Sequence, residues 1–105
     1  MTGVKSLYKA RATANDEVPA VAEIEIYTSP FCGFCHAAKK LLEKKGVAFT
    51  EIDVMMSFGK RKEMTERSGG KRSVPQIFVD GEHLGDCMEI MEMDADDELD
   101  ARLGL

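Results

Sequence analysis

Apolar and polar residues alternate along residues 23–28, and this two-residue period predicts a β-strand. From Cys32 onwards the apolar residues follow helical spacing instead, and lysines followed by Gly46 mark the end of that helix. Residues 47–53 predict a second strand. Because a strand, a helix and a strand in this order need a crossover connection, we expect the two strands to be parallel.

The second half of the chain predicts a short helix followed by a hairpin. Residues 60–67 form the short polar helix. The runs 74–79 and 82–84 are strand-like, and they flank Asp80-Gly81, a dipeptide that is favoured in two-residue hairpin turns. We therefore expect these two strands to be antiparallel neighbours.

The last part of the chain predicts further helix. Asp86 and Glu89 have the spacing of a capping box that opens a helix, and residues 94–103 supply one or two more helical turns. The predicted order is therefore β-α-β-α-β-β-α. We expect an α/β fold with one four-stranded mixed sheet, in which the first strand pair is parallel, the second is an antiparallel hairpin, and helices cover both faces.

The length and charge of the chain argue against several classes of protein. A chain of 105 residues has room for one domain, and a net charge of −5 without a basic stripe argues against a nucleic-acid partner. No apolar run approaches the roughly 20 residues that span a bilayer, so no membrane partner is expected. Three cysteines are too few for a disulfide-stapled secreted fold, and we expect a cytoplasmic protein.

Residues 1–22 differ from the rest, because they show little apolar periodicity. We interpret them as an N-terminal extension before a single domain of residues 23–105. A secretory signal is not expected, since the segment lacks an apolar block of about 7–15 residues. A cleaved organelle transit peptide stays open as an alternative, since the first 15 residues contain no acid.

The motif that carries chemistry is the pair Cys32 and Cys35 at the start of the first predicted helix. The thiolate is the nucleophilic form of cysteine, and a free thiol has a pKa of about 8.5. Unpaired N–H groups and the helix dipole favour an anion at a helix N-terminus. Cys35 lies one turn further in, where it can close a disulfide. We expect Cys32 to attack and Cys35 to resolve, with Phe31 and Phe34 as an apolar rim.

Three other kinds of site share the Cys-x-x-Cys spacing. A structural zinc site needs a second ligand pair, which Cys87 alone does not supply. Cys32-x-x-Cys35-His36 matches the attachment signature of c-type haem, a group that generally goes with export. Cysteines that only pack in a core are the third alternative, and a position between a strand and a helix disfavours it. The motif therefore favours redox chemistry.

Four segments, in this order, resemble the dithiol glutaredoxins. They are Tyr27-Thr28-x-x-x-Cys32-x-x-Cys35, Gly46-Val47-x-Phe49, Val74-Pro75-Gln76-Ile77-Phe78 and Gly81-x-x-x-Gly85-x-Cys87. The resemblance implies the thioredoxin fold and a glutathione-dependent disulfide oxidoreductase. The implied partners are glutathione, protein disulfides and glutathionylated proteins.

The resemblance also implies roles for individual residues. Cys32 and Cys35 are the implied catalytic pair. The implied glutathione contacts are Phe34, Arg61, Val74, Pro75, Asp86 and Cys87. In the family a cis-proline, here Pro75, faces the catalytic sulfurs, and the residue before it offers backbone hydrogen bonds to glutathione.

The chain differs from the family pattern in four places. Gly33-Phe34 stands where Pro-Tyr is frequent, and Ser29 where a lysine is frequent. Asp86 and Met88 stand where the family has Gly and Asp, beside the usual site of the γ-glutamyl end of glutathione. The carboxylate of Asp86 predicts weaker binding of that end.

Two other functions remain open. Glutaredoxins with glycine in the motif sometimes hold a 2Fe-2S cluster through Cys32 of two protomers and two glutathione thiols, and Gly33 keeps this alternative open. We expect a monomer, a dimer only when a cluster is bound, and no other metal. The second function is that of a thioredoxin-like protein reduced by a flavoprotein. The absence of Trp disfavours this function.

Other polar and sulfur-bearing residues have simpler interpretations. Cys87 is expected to be a small buried side chain, with a regulatory thiol as the alternative. His83 is expected at the surface without a partner. Three cations either bind a glutathione carboxylate or lie on solvated helix faces: Lys39, Lys60 and Arg61. Of these we expect Arg61 to be the one that binds the carboxylate.

Overall fold

The computed structural model describes residues 22–105, so all of the predicted extension except Ala22 lies outside the described residues. The elements are, in chain order, β1 (Ile24–Thr28), α1 (Gly33–Lys44), β2 (Thr50–Asp53), α2 (Phe58–Arg67), β3 (Gln76–Val79), β4 (Glu82–Gly85), α3 (Cys87–Ala95) and α4 (Leu99–Arg102). This order confirms the predicted one, and the last predicted turns form the separate short helix α4.

The four strands form one sheet in the order β2-β1-β3-β4. β1 pairs with β2 in parallel, whereas the β1–β3 and β3–β4 pairs are antiparallel. The predicted four-stranded mixed sheet is therefore confirmed. Because β1 lies inside the sheet and runs directly into the loop before Cys32, the motif is attached to a strand that is paired on both sides.

The hairpin between β3 and β4 turns at the predicted dipeptide. Asp80 and Gly81 have φ angles of 52° and 85°, the left-handed pair that a tight two-residue hairpin turn requires. The turn is also tied to the start of β1, because Asp80 exchanges two hydrogen bonds of 2.8 Å with the backbone of Glu23. The turn of the hairpin is thus fixed to the residue that precedes β1.

Three elements begin two or more residues away from the predicted position. β3 begins at Gln76 rather than at residue 74, because Pro75 has no N–H to donate to a strand ladder. β2 begins at Thr50 rather than at residue 47, since the Val47 N–H bonds to the carbonyl of Leu42 and closes the end of α1. Helix α2 begins at Phe58 rather than at residue 60.

Buried side chains form a core on each face of the sheet. The core under α1, α3 and α4 contains Ile24, Ile26, Ala38, Leu42, Val47, Ile77, Leu84, Cys87, Ile90, Leu99 and Leu103. The core under α2 contains Tyr27, Val54, Met64 and Phe78. Helices on both faces are therefore confirmed. Alternate residues of β1 point into opposite cores, as the two-residue period predicts.

The C-terminal helices are tied to the end of α1 by a branched ion pair. The Nζ atom of Lys45 lies 2.5 Å from Asp94 Oδ1 and 2.7 Å from Asp100 Oδ1. Ion pairs of this kind contribute little to stability, because solvent screens their charges. Helix α1 has 12 residues. Within residues 22–105, no helix is both long and apolar enough to cross a membrane.

Candidate active site around Cys32

Cys32 is the N-cap residue of α1. Its backbone is extended, with φ −113° and ψ 114°, and its Sγ accepts a hydrogen bond of 3.3 Å from the Cys35 N–H. No acidic residue lies in the first turn of the helix. A sulfur that accepts a backbone N–H at the positive end of a helix is stabilised as an anion. The structure thus places Cys32 at the N-terminus of α1, as the sequence predicts.

The loop before β3 covers the other side of this sulfur. As a thiol, Cys32 donates to the carbonyl oxygen of Val74 at 3.6 Å. The peptide bond between Val74 and Pro75 is cis, as the resemblance implied. The folded chain therefore brings Cys32 and the Val74-Pro75 pair together, although 42 residues separate Cys32 from Val74.

Cys35 lies behind Cys32 and is only 2% exposed. Burial raises the pKa of the Cys35 thiol to about 12, with a smaller contribution in the same direction from the neighbouring Cys32. The backbone N–H of Ser29 and the charge of Lys39 act in the opposite direction. In the reduced protein, Cys35 is therefore protonated at neutral pH, and Cys32 is the accessible sulfur.

Apolar side chains are exposed beside the motif. Phe31 is 93% exposed and Phe34 is 61% exposed, which agrees with the expected apolar rim. Met88 and Met91, on the first two turns of α3, are also exposed. Large exposed apolar side chains beside a reactive group are typical of a surface that contacts another molecule.

The start of α3 is held by a reciprocal capping box, as predicted. The carboxylate of Asp86 accepts the Glu89 N–H at 2.9 Å, and the carboxylate of Glu89 accepts the Asp86 N–H at 2.9 Å. Gly85 has a φ of 146°, and a Cβ there would come within 2.8 Å of the Glu89 side chain. Two backbone donors at this helix start are thus occupied by the chain's own carboxylates.

Cys87 follows the cap and is buried, as expected for a small packing residue. Its Sγ lies 3.6 Å from the Sδ of Met91. Burial raises the pKa of the Cys87 thiol, and the negative charges of Asp86 and Cys32 raise it further. Helix α3 packs against α1, and Cys87 lies in the core on the same face of the sheet as α1.

The predicted cations have partners within the chain. The guanidinium of Arg61 donates to the carbonyl of Arg72 at 2.5 Å, which attaches it to the loop that leads to Val74. Lys60 pairs with Glu63 at 3.3 Å on the exposed side of α2. Of the two, Arg61 is the one that the structure connects to the loop beside Cys32.

The prediction for His83 was wrong, because this side chain is half-buried and has a partner. Its Nε2 lies 2.6 Å from Oε1 of the wholly buried Gln76, and its ring packs against Phe78. Burial lowers the pKa of His83. Gln76 also donates to the carbonyl of Ser73 at 3.1 Å, next to the cis bond. A glutamine within an apolar strand was the available signal, since buried polar groups need partners.

A second polar network, which the sequence patterns did not reveal, attaches α2 to the sheet. The hydroxyl of Tyr27 donates to Glu63, while Arg67 donates to Tyr27 at 2.6 Å and to Glu25 at 2.9 Å. The guanidinium of Arg67 also lies 4.3 Å from the ring centre of Phe78. Burial raises the pKa of Tyr27 to about 12. The network holds the helix on the face opposite α1.

Comparison with known proteins identifies the family. The sequence profile described as Glutaredoxin matches residues 24–84. Glutaredoxin 3 of Escherichia coli strain K12 is 46% identical over 83 residues, which make up 79% of this chain and 99% of that protein. The chain belongs to the glutaredoxin family.

Solved glutaredoxins share the fold of this glutaredoxin. The glutaredoxin of Brucella melitensis matches with a TM-score of 0.71 and 39% identity, over 80% of this chain and 90% of that one. A buckwheat glutaredoxin–glutathione complex matches with a TM-score of 0.71 and 28% identity, over 79% and 77%. The thioredoxin fold is therefore confirmed, and the protein is a thiol–disulfide oxidoreductase of this family.

Proposed function

We propose that this glutaredoxin uses glutathione to reduce protein disulfides and glutathionylated proteins, with Cys32 as the nucleophile and Cys35 as the resolving thiol. The observation that carries the proposal is the asymmetry of the two sulfurs. Cys32 is partly exposed at the N-terminus of α1, whereas Cys35 is buried one turn behind it. An incoming disulfide meets Cys32 first, and Cys35 attacks from the protein side.

The cycle conserves atoms and electrons through thiol–disulfide exchange. The Cys32 thiolate attacks one sulfur of a protein disulfide, and the other sulfur leaves as a thiol after it takes a proton. Cys35 loses its proton and attacks Cys32, which releases the second substrate sulfur and forms the Cys32–Cys35 disulfide. Two glutathione molecules then return two electrons and become glutathione disulfide. This chemistry suits the reducing, cytoplasmic location that we propose, and all three cysteines are unpaired.

The reduction of a glutathionylated protein needs only Cys32. Cys32 takes over the glutathione, the substrate leaves as a thiol, and a second glutathione frees Cys32. For the peptide itself we propose contacts with Phe34, Arg61, Val74, Pro75, Asp86 and Cys87. The nearness of the Val74 carbonyl to the Cys32 sulfur supports a backbone contact there. The glutathione complex of the buckwheat relative supports the choice of ligand.

The Cys35→Ser variant tests the division of roles between the two sulfurs. We expect it to retain most of the deglutathionylation of a peptide and to lose at least about tenfold in the reduction of a protein disulfide, because only the second substrate needs a resolving thiol. Both rates are measured with the same glutathione and enzyme concentrations, with Cys32→Ser as the inactive reference. An equal loss in both assays would contradict the proposed role of Cys35.

A 2Fe-2S cluster held between two protomers is the second candidate. The open space beside the motif favours it, since a Cβ on Gly33 would meet nothing within 4 Å. Among residues 22–105, no three Cys, His, Asp or Glu side chains lie together as a metal site. Cys35 and Cys87 are buried, so one chain would offer only Cys32, and the other thiols would come from glutathione and a second copy.

The cluster proposal is tested by reconstitution. The protein is incubated without oxygen with iron, sulfide and glutathione, and its absorption spectrum and size are then measured. A brown dimer that becomes a colourless monomer on oxidation supports the cluster. A protein that stays colourless and monomeric contradicts it.

A further inference from the structure

Lys39 lies on α1, on the side of the helix that carries Cys35, and its side chain reaches β2 of the sheet. The two residues are four positions apart, and side chains at this spacing are neighbours on one helix face. The Nζ of Lys39 lies 2.9 Å from Oε2 of Glu51, an atom that also accepts a 2.7 Å hydrogen bond from the hydroxyl of Thr28. Thr28 is buried at the end of β1, so this three-residue clamp has a rigid base.

The clamp lies next to the buried resolving sulfur. Ser29, directly after Thr28, places its backbone N–H against the sulfur of Cys35, and Lys39 adds a positive charge. The Thr28 hydrogen bond and then Lys39 lower the pKa of Glu51, which keeps this carboxyl ionised and the lysine held. The end of β1 and the middle of α1 therefore both contribute groups that favour the ionised Cys35 sulfur, and Glu51 of β2 holds the side chain of Lys39.

The charges around Cys35 change in the mixed disulfide. Burial and the negative charge of Cys32 oppose ionisation of Cys35 in the reduced protein. Once Cys32 is bonded to a substrate sulfur it carries no charge, and the positive charge of Lys39 remains. Helix α3 begins after the carboxylate of Asp86 with the Cys87 thiol, which burial keeps uncharged near neutral pH by raising its pKa.

We propose that Lys39, held by Glu51 and Thr28, is a positioning residue that favours the Cys35 thiolate during the resolving step. This inference rests on the proposed function, since it assumes that Cys35 resolves. In that step the Cys35 proton goes to solvent and its sulfur bonds to Cys32. The bond between Cys32 and the substrate breaks, and the substrate sulfur leaves with the electron pair.

The step can be observed with an aromatic disulfide, 5,5′-dithiobis(2-nitrobenzoate), in a stopped-flow spectrometer. Attack by Cys32 releases the first coloured thiolate at a rate that depends on the reagent concentration. Attack by Cys35 releases the second at a rate that does not. We expect Lys39→Met to slow the second phase about three- to tenfold at pH 7 and to displace its pH profile upwards, because the Cys35 thiolate has lost a nearby positive charge.

Matched variants separate charge from structure. Lys39→Arg retains a cation within reach of Glu51, and we expect near wild-type rates and a near wild-type pH profile. Lys39→Gln is a second neutral variant that retains hydrogen-bond donors, and we expect it to behave like Lys39→Met. Lys40→Met removes the exposed neighbouring charge, and we expect no change. Thermal unfolding of each variant checks that the fold is intact.

The outcomes distinguish the inference from the proposed function. Two results together support the inference and the proposed function. Cys35→Ser loses the second phase, and the two neutral Lys39 variants show a slow second phase. If Cys35→Ser abolishes the phase but Lys39→Met and Lys39→Gln leave its rate and pH profile unchanged, the inference is overturned and the proposed function stands. Equal slowing by Lys40→Met also overturns the inference. A normal second phase in Cys35→Ser overturns the proposed function itself.

Discussion

We predict that Asp86 couples the stability of α3 to the affinity for glutathione, and that the Asp86→Gly variant separates the two. In the folded protein, the Asp86 carboxylate accepts the Glu89 N–H at 2.9 Å. An incoming γ-glutamyl carboxylate at this helix start would compete for the same donors. It would also lie beside a like charge. The variant removes the competitor and the repulsion together.

The expected magnitudes differ for the two properties. Glycine at an N-cap usually costs only a few tenths of a kcal/mol relative to Asp, whereas alanine costs about 1 kcal/mol. In a domain of this size 1 kcal/mol corresponds to about 4–8 °C in melting temperature, so Asp86→Gly is expected to lower it by no more than about 3 °C. Two like charges about 4 Å apart in water repel by about 1 kcal/mol, which corresponds to about fivefold in affinity.

Steady-state kinetics over a glutathione titration provide the assay. We expect the Michaelis constant for glutathione to fall about fivefold in Asp86→Gly. Asp86→Asn is the matched control, because asparagine caps a helix as well as aspartate but carries no charge. It should show much of the same fall without a change in melting temperature. An unchanged or higher Michaelis constant in both variants would refute the reasoning, and would show that Asp86 points away from the ligand or binds its ammonium group.

Two further predictions concern stability. Gly85→Ala should destabilise the protein by about 1–3 kcal/mol in urea unfolding, because a Cβ there is strained and meets Glu89 at 2.8 Å; Gly33→Ala, whose Cβ meets nothing within 4 Å, should change stability by less than about 1 kcal/mol. Burial raises the pKa of Tyr27 from 10.0 to about 12, so its contribution to stability is fully present below pH 10 and is lost as the pH rises towards 12. Urea unfolding between pH 9 and pH 11.5 (about the range in which tyrosine ionises) should show that Tyr27→Phe loses less stability with rising pH than the wild-type protein. Equal losses of stability in the two proteins would count against this assignment.

The elements that periodicity and turn chemistry describe were predictable. Helix α1 has its apolar stripe, its N-terminal cysteine and its terminal Gly46 within one local segment. The hairpin follows from Asp80-Gly81, since few other dipeptides adopt the two positive φ angles easily. The position of Cys32 at the start of α1 and of Cys35 one turn further in was predictable for the same reason, because the motif and its place on the helix are local.

What was not predictable depends on contacts between distant polar residues. His83 is seven positions from Gln76, and Arg67 is 40 positions from Tyr27, and neither pair follows an apolar period. Lys39 looked like one lysine among several on a solvated helix. Its clamp emerges only when the parallel pairing of β1 and β2 brings Glu51 under α1. Such contacts depend on register and tertiary packing, which local patterns do not encode.

The proposed activity depends above all on the thiolate chemistry of Cys32. The most direct test is the rate at which Cys32→Ser removes glutathione from a glutathionylated peptide, measured beside the wild-type protein and with thermal unfolding to confirm that the variant is folded. A serine hydroxyl cannot form the mixed disulfide, so we predict that the rate falls to that of the reaction without enzyme. A folded Cys32→Ser variant that retains a rate close to wild type would contradict the assignment of Cys32 as the nucleophile.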